Sequence, residues 1–317
     1  MKISVIIRCL NEGRHLPNLL DCIARQTLKP FEVIVVDSGS TDNSVEISRS
    51  KGARVVHIQP EQFSFGRSLN LGAQNASGEV LIIVSAHTYP LSDTWLELLV
   101  KPFGDPAVAL TYGGQHGYER SKFSEGQIFK QWFPEESSRD QGHPFCNNAN
   151  AAVRRTVWMT MPYDEEIPAL EDIHWAKRAM ERGFRINYVA DAAIAHLHEE
   201  SYGQIYRRYR REAMGLHMIF PWERMSLIQA LSLGIKGAVS DLKQAREENV
   251  LGSVLGSVLR FRAAQYWGTY RGLNHRGAVS SSLRTRLYYP KDYRIGTGAL
   301  PAQPEQNLSA VSNKRVE

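Results

Sequence analysis

Two neighbouring carboxylates, Glu171 and Asp172, follow Pro168-Ala169-Leu170 at what reads as the start of a helix. Acidic residues there gain from the helix dipole, which is explanation enough by itself. A carboxylate that stays ionised at an element's end also suits a general base taking a proton from a hydroxyl. A second group, Asp37-Ser38-Gly39, closes a strand-like run. An Asp at a strand's carboxyl end can accept hydrogen bonds from a nucleoside, and ordinary turn chemistry with Ser40 or Asp42 as a helix cap accounts for the same residues. His196 and His198 lie two apart after the strand-like 192–195, so both face one side and could reach one phosphate or one metal. Arg207, Arg208, Arg210 and Arg211 form either a solvated helix face or a clamp for a diphosphate, since guanidinium matches phosphate bidentately.

The elements needed to bring these groups together are legible as alternating periods. Apolar runs at 3–8, 31–36, 54–58 and 80–84 predict strands, and helical spacing at Leu16, Leu19, Leu20 and Ile23, at 44–50 and at 66–76 predicts the helices between them. That alternation means βαβ units and a parallel sheet, whose ligands sit beyond the carboxyl ends of the strands. The polar clusters at those ends are Asn11-Glu12, Asp37-Ser38-Gly39 and Ser85-Ala86-His87. A helix is expected near 173–182, a basic helix at 202–218, and helical structure over 225–272 with Val250, Leu251, Val254, Leu255, Val258, Leu259 and Phe261 on one side. That side, flanked by Arg260, Arg262 and Arg271, predicts core, dimer or membrane-interface packing.

With 317 residues, 43% hydrophobic and 22% charged, the chain has a globular balance, which excludes disorder, collagen and a disulfide scaffold. Cys9, Cys22 and Cys146 show neither zinc nor redox spacing and read as reduced thiols. The net charge of +5 suits phosphorylated substrates or an anionic surface and is too weak to argue for nucleic acid. No secretory leader and no spanning helix are expected. Neither GxGxxG after the first strand nor a Walker A sequence is present, against a dinucleotide oxidoreductase and a P-loop enzyme.

Taken in order, the motifs resemble family 2 glycosyltransferases of the GT-A fold over about 3–215. Ser4-Val5-Ile6-Ile7-Arg8-Cys9-Leu10-Asn11-Glu12 is similar to that family's first nucleotide loop, and 32–42 to its second, whose Asp binds the nucleoside. Gly66-Arg67-Ser68-Leu69-Asn70-Leu71-Gly72 resembles the approach to the metal-binding strand, 145–155 the acceptor-side stretch, and Leu170-Glu171-Asp172-Ile173-His174-Trp175-Ala176 the helix that carries the base. The resemblance implies an inverting transfer from a nucleoside-diphosphate sugar to a hydroxyl of a glycan or lipid-linked acceptor. Asp172 would be the base and Glu171 its neighbour. Arg8, Asn11, Glu12, Asp37, Ser38, Gly39, Arg67, Asn70, Ser85, Ala86, Arg207 and Arg208 would face the nucleotide sugar, and Asn148, Asn150 and Trp175 the acceptor.

The family's Asp-x-Asp is replaced by Ser85-Ala86-His87. Either His87 and His196 hold a divalent ion, with imidazole favouring Mn²⁺ over Mg²⁺, or Arg207 or Arg208 neutralises the diphosphate without one. The 61–67 segment and the Ser-Ala-His triplet are similar to the rhamnosyltransferase-like branch. A binder of nucleotide sugars or glycans that has lost catalysis is the alternative, supported by the missing carboxylates. The expected layout is an α/β GT-A domain over 1–220 with a mostly parallel sheet, a helical extension at 221–274 that contacts a membrane surface or a second copy, and a poorly ordered tail at 275–317. The expected location is cytoplasmic, either free or peripheral on the cytoplasmic face of the inner membrane.

Overall fold

β1 (Ile3–Cys9) is buried along almost its whole length, as expected of a strand covered on both faces. It pairs in parallel with β2 (Glu32–Asp37) and β4 (Val80–Ser85), and β3 (Arg54–His57) extends the sheet beyond β2. Beyond β4 come β7 (Asn150–Arg154), β6 (Val108–Gly117), β8 (Arg185–His196) and the short β5 (Thr88–Pro90), in that spatial order. β7 runs antiparallel to β4 and β6, β6 and β8 are parallel, and β5 is antiparallel to β8. The carboxyl ends of β1, β2, β4, β6 and β8 therefore share one edge of a mostly parallel sheet. The computed structural model describes residues 1–30, 32–118 and 121–277, with Leu283 and Tyr288. The rest of the tail expected at 275–317 lies outside the described residues.

Helices cover both faces. Val5 and Ile7 enter one core layer with residues of α1 (Leu16–Arg25) and α4 (Trp95–Val100), and α2 (Ser44–Ser50) lies beside α1. Ile6 enters the other layer with α3 (Phe65–Gln74), α5 (Phe123–Trp132), α6 (Arg155–Thr160) and α7 (Glu171–Met180). Ser64 caps α3 by accepting the Arg67 amide at 3.1 Å. A Cβ at Gly72 would stand 2.5 Å from Ile6 Cγ2, so glycine lets α3 settle on the sheet. The long helices α8 (Tyr202–Ile219) and α9 (Leu227–Glu247) each open on a capping box, at Ser201–Gln204 and Ser226–Gln229.

The expected helical stretch over 225–272 is two helices. Asn249, at φ 59°, turns the chain into α10 (Leu251–Leu273), which packs against α8 and α9. The seven apolar positions expected on one side divide. Val258 and Phe261 are buried, whereas Leu251, Leu255 and Leu259 face outward. Three- and four-residue steps drift around a helix, so a run this dense in apolar residues spans more than one face. No described helix is long and apolar enough to cross a membrane.

Candidate active site

The shared strand edge opens into a cleft of about 920 Å³, a size typical of small-molecule sites. Parallel pairing sets Arg8 beside Ser85 and Cys9 beside Asp37, so the ends of three strands meet at one level. The Asn11 amide donates to Ser40 Oγ at 2.8 Å, and Asn11 Oδ1 accepts the Thr41 amide at 2.7 Å. These bonds weld the first strand's loop to the second's.

The carboxylates stand where the chain enters α7. Leu170 adopts φ 63°, which turns the backbone so that Glu171 and Asp172 begin the helix and line the cleft. Asp172 Oδ2 accepts the Asn148 amide at 3.0 Å and Oδ1 accepts the Ile173 amide at 2.8 Å. Glu171 accepts from Arg8 Nη1 and Asn148 Nδ2, both at 3.4 Å. Burial, then the Glu171 charge, push Asp172 up from the ordinary 3.8 to about 7, against the opposing pull of the two amides and Arg8. A carboxylate that gains and loses its proton near neutrality is suited to proton abstraction.

Three histidines form a second cluster. β5 pairs Thr88 with His196, which brings His87, just before β5, against the end of β8. His87, His196 and His198 each offer a ring nitrogen within 4.8 Å of the others'. Each Nδ1 is held from outside: His87 by Glu12 at 2.7 Å, His196 by Gln115 at 2.8 Å and His198 by Glu125 at 2.8 Å. Outer acceptors of this kind fix a metal-binding imidazole's tautomer and leave Nε2 for the ion. The His196 and His198 Nε2 atoms are 3.1 Å apart, close to the roughly 3.3 Å between ligands bound at about 2.0 Å. Burial, then His198, His87 and Arg208, keep His196 well below its usual range and hence neutral, the form that ligates. At His87 burial opposes protonation, but Glu12 outweighs it and raises the group. Burial would raise Glu125 as well, yet Arg208 and His198 bring its carboxyl down to about 2. This donor set fits a borderline divalent ion better than Mg²⁺.

Cationic and aromatic groups complete the walls. The Arg8 and Arg211 guanidinium carbons lie 4.7 and 4.8 Å from the Phe65 ring centre. Arg208 is clamped by Glu125 and Glu200 at 2.9 and 2.8 Å. At the mouth, Trp132 is half-exposed and stacks on Phe145 with ring centres 4.7 Å apart.

The expected site residues divide accordingly. Arg8, Asn11, Glu12, Ser38, Ser85, His87, Asn148, Glu171, Asp172, His196 and Arg208 line the cleft. Gly39, at φ 98°, forms the turn beside it. Asp37 is buried, with its carboxylate on the Gly39 and Ser40 amides and on His57 Nδ1 at 3.3 Å. Ala86 is buried behind Ser85.

Five expectations need correction. Trp175 is fully buried and donates to the Met161 carbonyl, because its face of α7 turns to the core. Asn150 is fully buried and ties Trp95 Nε1 to the Gly114 and Ala192 carbonyls. Neither can touch an acceptor. Asn70 is a buried brace whose amide holds Tyr163 and Trp158, and Arg67 on the same helix points to solvent. Arg207 lies off the cleft, one position round the helix from Arg208. Glu125, Gln115 and Trp132 carried no sequence signal, since their neighbours come from distant segments, whereas Arg211 belonged to the basic run expected as a diphosphate clamp and Phe65 to the 61–67 segment. His198 did carry one, its two-residue spacing from His196.

Residues 4–160 match the family model for glycosyl transferase family 2. That stretch, close to half of the chain, is a family 2 glycosyltransferase domain. It is 28% identical over 235 residues to the O-antigen chain rhamnosyltransferase RfbN of Salmonella typhimurium, covering 70% of this chain and 74% of the relative. It is 26% identical to the glycosyltransferase AglE of Haloferax volcanii, covering 74% and 79%. Among solved structures, the mannosyltransferase PcManGT of Pyrobaculum calidifontis, in complex with GDP-Man and Mn²⁺, superposes with TM-score 0.60 at 19% identity over 86% of this chain and 87% of its own. The fold is GT-A and the protein is a glycosyltransferase of glycan biosynthesis. The alternative of a binder without catalysis is not favoured, since the paired carboxylates stand in the cleft of a family of transferases.

Proposed function

We propose that the protein moves a sugar, of the deoxyhexose class suggested by its rhamnosyltransferase relatives, from a nucleoside diphosphate to a hydroxyl of a glycan or lipid-linked acceptor, with inversion. The observation that carries this reading is the buried Asp172 carboxyl, raised to about 7 and lining the cleft. Asp172 takes the proton from the acceptor hydroxyl as its oxygen bonds to the anomeric carbon. The bond from that carbon to the diphosphate oxygen breaks on the opposite face, and the electron pair leaves with the diphosphate. Glu171 keeps the proton affinity of Asp172 high, and the Asn148 and Ile173 amides fix how its carboxylate is oriented in the cleft. Arg8 and Arg211, braced on Phe65, offset charge on the departing diphosphate.

His87, His196 and His198 would hold a divalent ion, Mn²⁺ in preference to Mg²⁺. Bound there, it would supply Lewis-acid stabilisation of the diphosphate. Ser38 and the welded Asn11 loop form the floor on which the nucleoside rests, with Asp37 setting the turn from beneath. Trp132, stacked on Phe145, offers a flat apolar face to an acceptor sugar ring. Cys9, Cys22 and Cys146 are all free thiols, in keeping with work on the cytoplasmic side, where they stay reduced. The deciding experiment is Asp172→Asn assayed with a panel of nucleotide sugars. Transfer should fall by ~10²–10⁴-fold while nucleotide affinity persists; near-parental turnover would remove Asp172 as the base.

A further inference from the structure

We propose that the α9–α10 hairpin is a docking surface for an anionic lipid bilayer, which holds the cleft mouth at the membrane. Ile228, Leu231, Ile235 and Val239 follow one another at three- and four-residue steps along α9, and all are more than half exposed. On α10, Leu251, Leu255, Leu259 and Trp267 recur in steps of four or twice four and are 36–50% exposed. Their side of α10 is not the one that packs on α8, where a Cβ on Gly268 or Gly272 would meet Tyr206 or Arg210 backbone within 2.6 Å. The two stripes flank a seam that is already closed. Gly234 and Gly237 admit Tyr266 and Arg262, and Arg262 makes a buried two-point ion pair with Asp241 at 2.7 and 2.8 Å. Large apolar side chains left exposed in rows on two helices that already pack closely mark an interaction surface.

Charge selects the occupant. Lys236, Lys243, Arg246, Arg260 and Arg271 are exposed along the hairpin. The exposed acids between Leu227 and Leu273 are Glu247 and Glu248, both at the turn, and Glu248 is paired with Lys130. An apolar face bordered by Lys and Arg is the pattern of a helix lying in the plane of an anionic interface. Two such faces brought together as a dimer would oppose their basic borders. The same hairpin reaches the site: Tyr266 and Thr269 on α10, beside Trp267, line the cleft. A docked hairpin therefore places the opening at lipid level. That this serves a lipid-linked acceptor rests on the transferase reading above; the membrane contact stands on the hairpin alone.

The full-length protein is sedimented with vesicles of phosphatidylcholine, with and without phosphatidylglycerol, at two salt concentrations. Binding is expected to the phosphatidylglycerol vesicles, weakening with salt. It should fall roughly tenfold or more in K236E/R260E, by loss and reversal of charge, and comparably in I235S/V239S. Donor-sugar hydrolysis should stay at the parental rate in both variants, which shows them folded and separates this proposal from the catalytic one. Equal pelleting of parent and variants would overturn the proposal. So would a parent that ignores both vesicles, or one that forms a dimer dissolved by I235S/V239S while binding no lipid.

Discussion

The pH profile of transfer tests the arrangement of the carboxylates most directly. With Asp172 raised to about 7, only ~10% of it is ionised one pH unit lower, so transfer should drop about tenfold per unit on the acid side. The informative perturbation is Glu171→Gln, which removes the like charge and leaves the burial intact. Burial is the larger cause of the rise, so the acid limb should move down by only about one unit rather than return to an ordinary carboxyl. Initial rates from a fixed donor and acceptor, measured from about pH 5 to pH 9, give the limb, and nucleotide affinity across the same range separates binding from chemistry. Stability supplies an independent check. A carboxyl whose folded value exceeds its unfolded one contributes most below the unfolded value, and that contribution is lost as pH rises through about 7. Asp172→Asn should therefore melt at a higher temperature than the parent in alkaline buffer, by up to a few kcal/mol of stability, with the gain shrinking toward about pH 4. A limb that stays put in Glu171→Gln, or an Asp172→Asn protein no more stable at high pH, would refute the reasoning.

Three other outcomes follow from the geometry. Replacing His196 with Ala should weaken Mn²⁺ binding by ~10-fold or more in calorimetry, and Gln115→Leu, which frees His196 Nδ1, should weaken it by ~10-fold through orientation alone; unchanged affinities would assign the ion elsewhere. Trp132→Ala should raise KM for the acceptor several-fold and leave donor hydrolysis unchanged, and Trp132→Phe should restore most of the loss. Gly113→Ala would set a Cβ 1.9 Å from the Ala192 carbonyl oxygen between β6 and β8, so chemical denaturation should show a loss of roughly 1–3 kcal/mol or more.

Most of the sheet could be read from the chain because β1, β2 and β4 are continuous apolar runs punctuated by polar loops, a signal that depends on neighbours in sequence. The antiparallel β7 and the pairing of β5 with β8 were not legible, since they depend on partners some 70 to 110 residues away. The same distinction runs through the site. Glu171 and Asp172 announce themselves as a pair at a helix start, while Gln115 and Glu125 become part of the histidine cluster only once β6 and α5 are folded against β8. Trp175 misled because helical position alone does not tell which residue of a helix start faces the ligand. Asp172 opens to the cleft, and three positions later the helix has turned into the core.

The contact that orients Asp172 comes from the main-chain amide of Asn148 and not from a side chain. No single substitution short of proline deletes it, so mutation has little direct grip on the direction in which the base points. What variation can reach is the neighbourhood: Glu171, Arg8 and the Asn148 side amide form an adjustable shell around a fixed carboxylate. Descendants of this sequence could retune the acidity at which they work without ever moving the atom that does it.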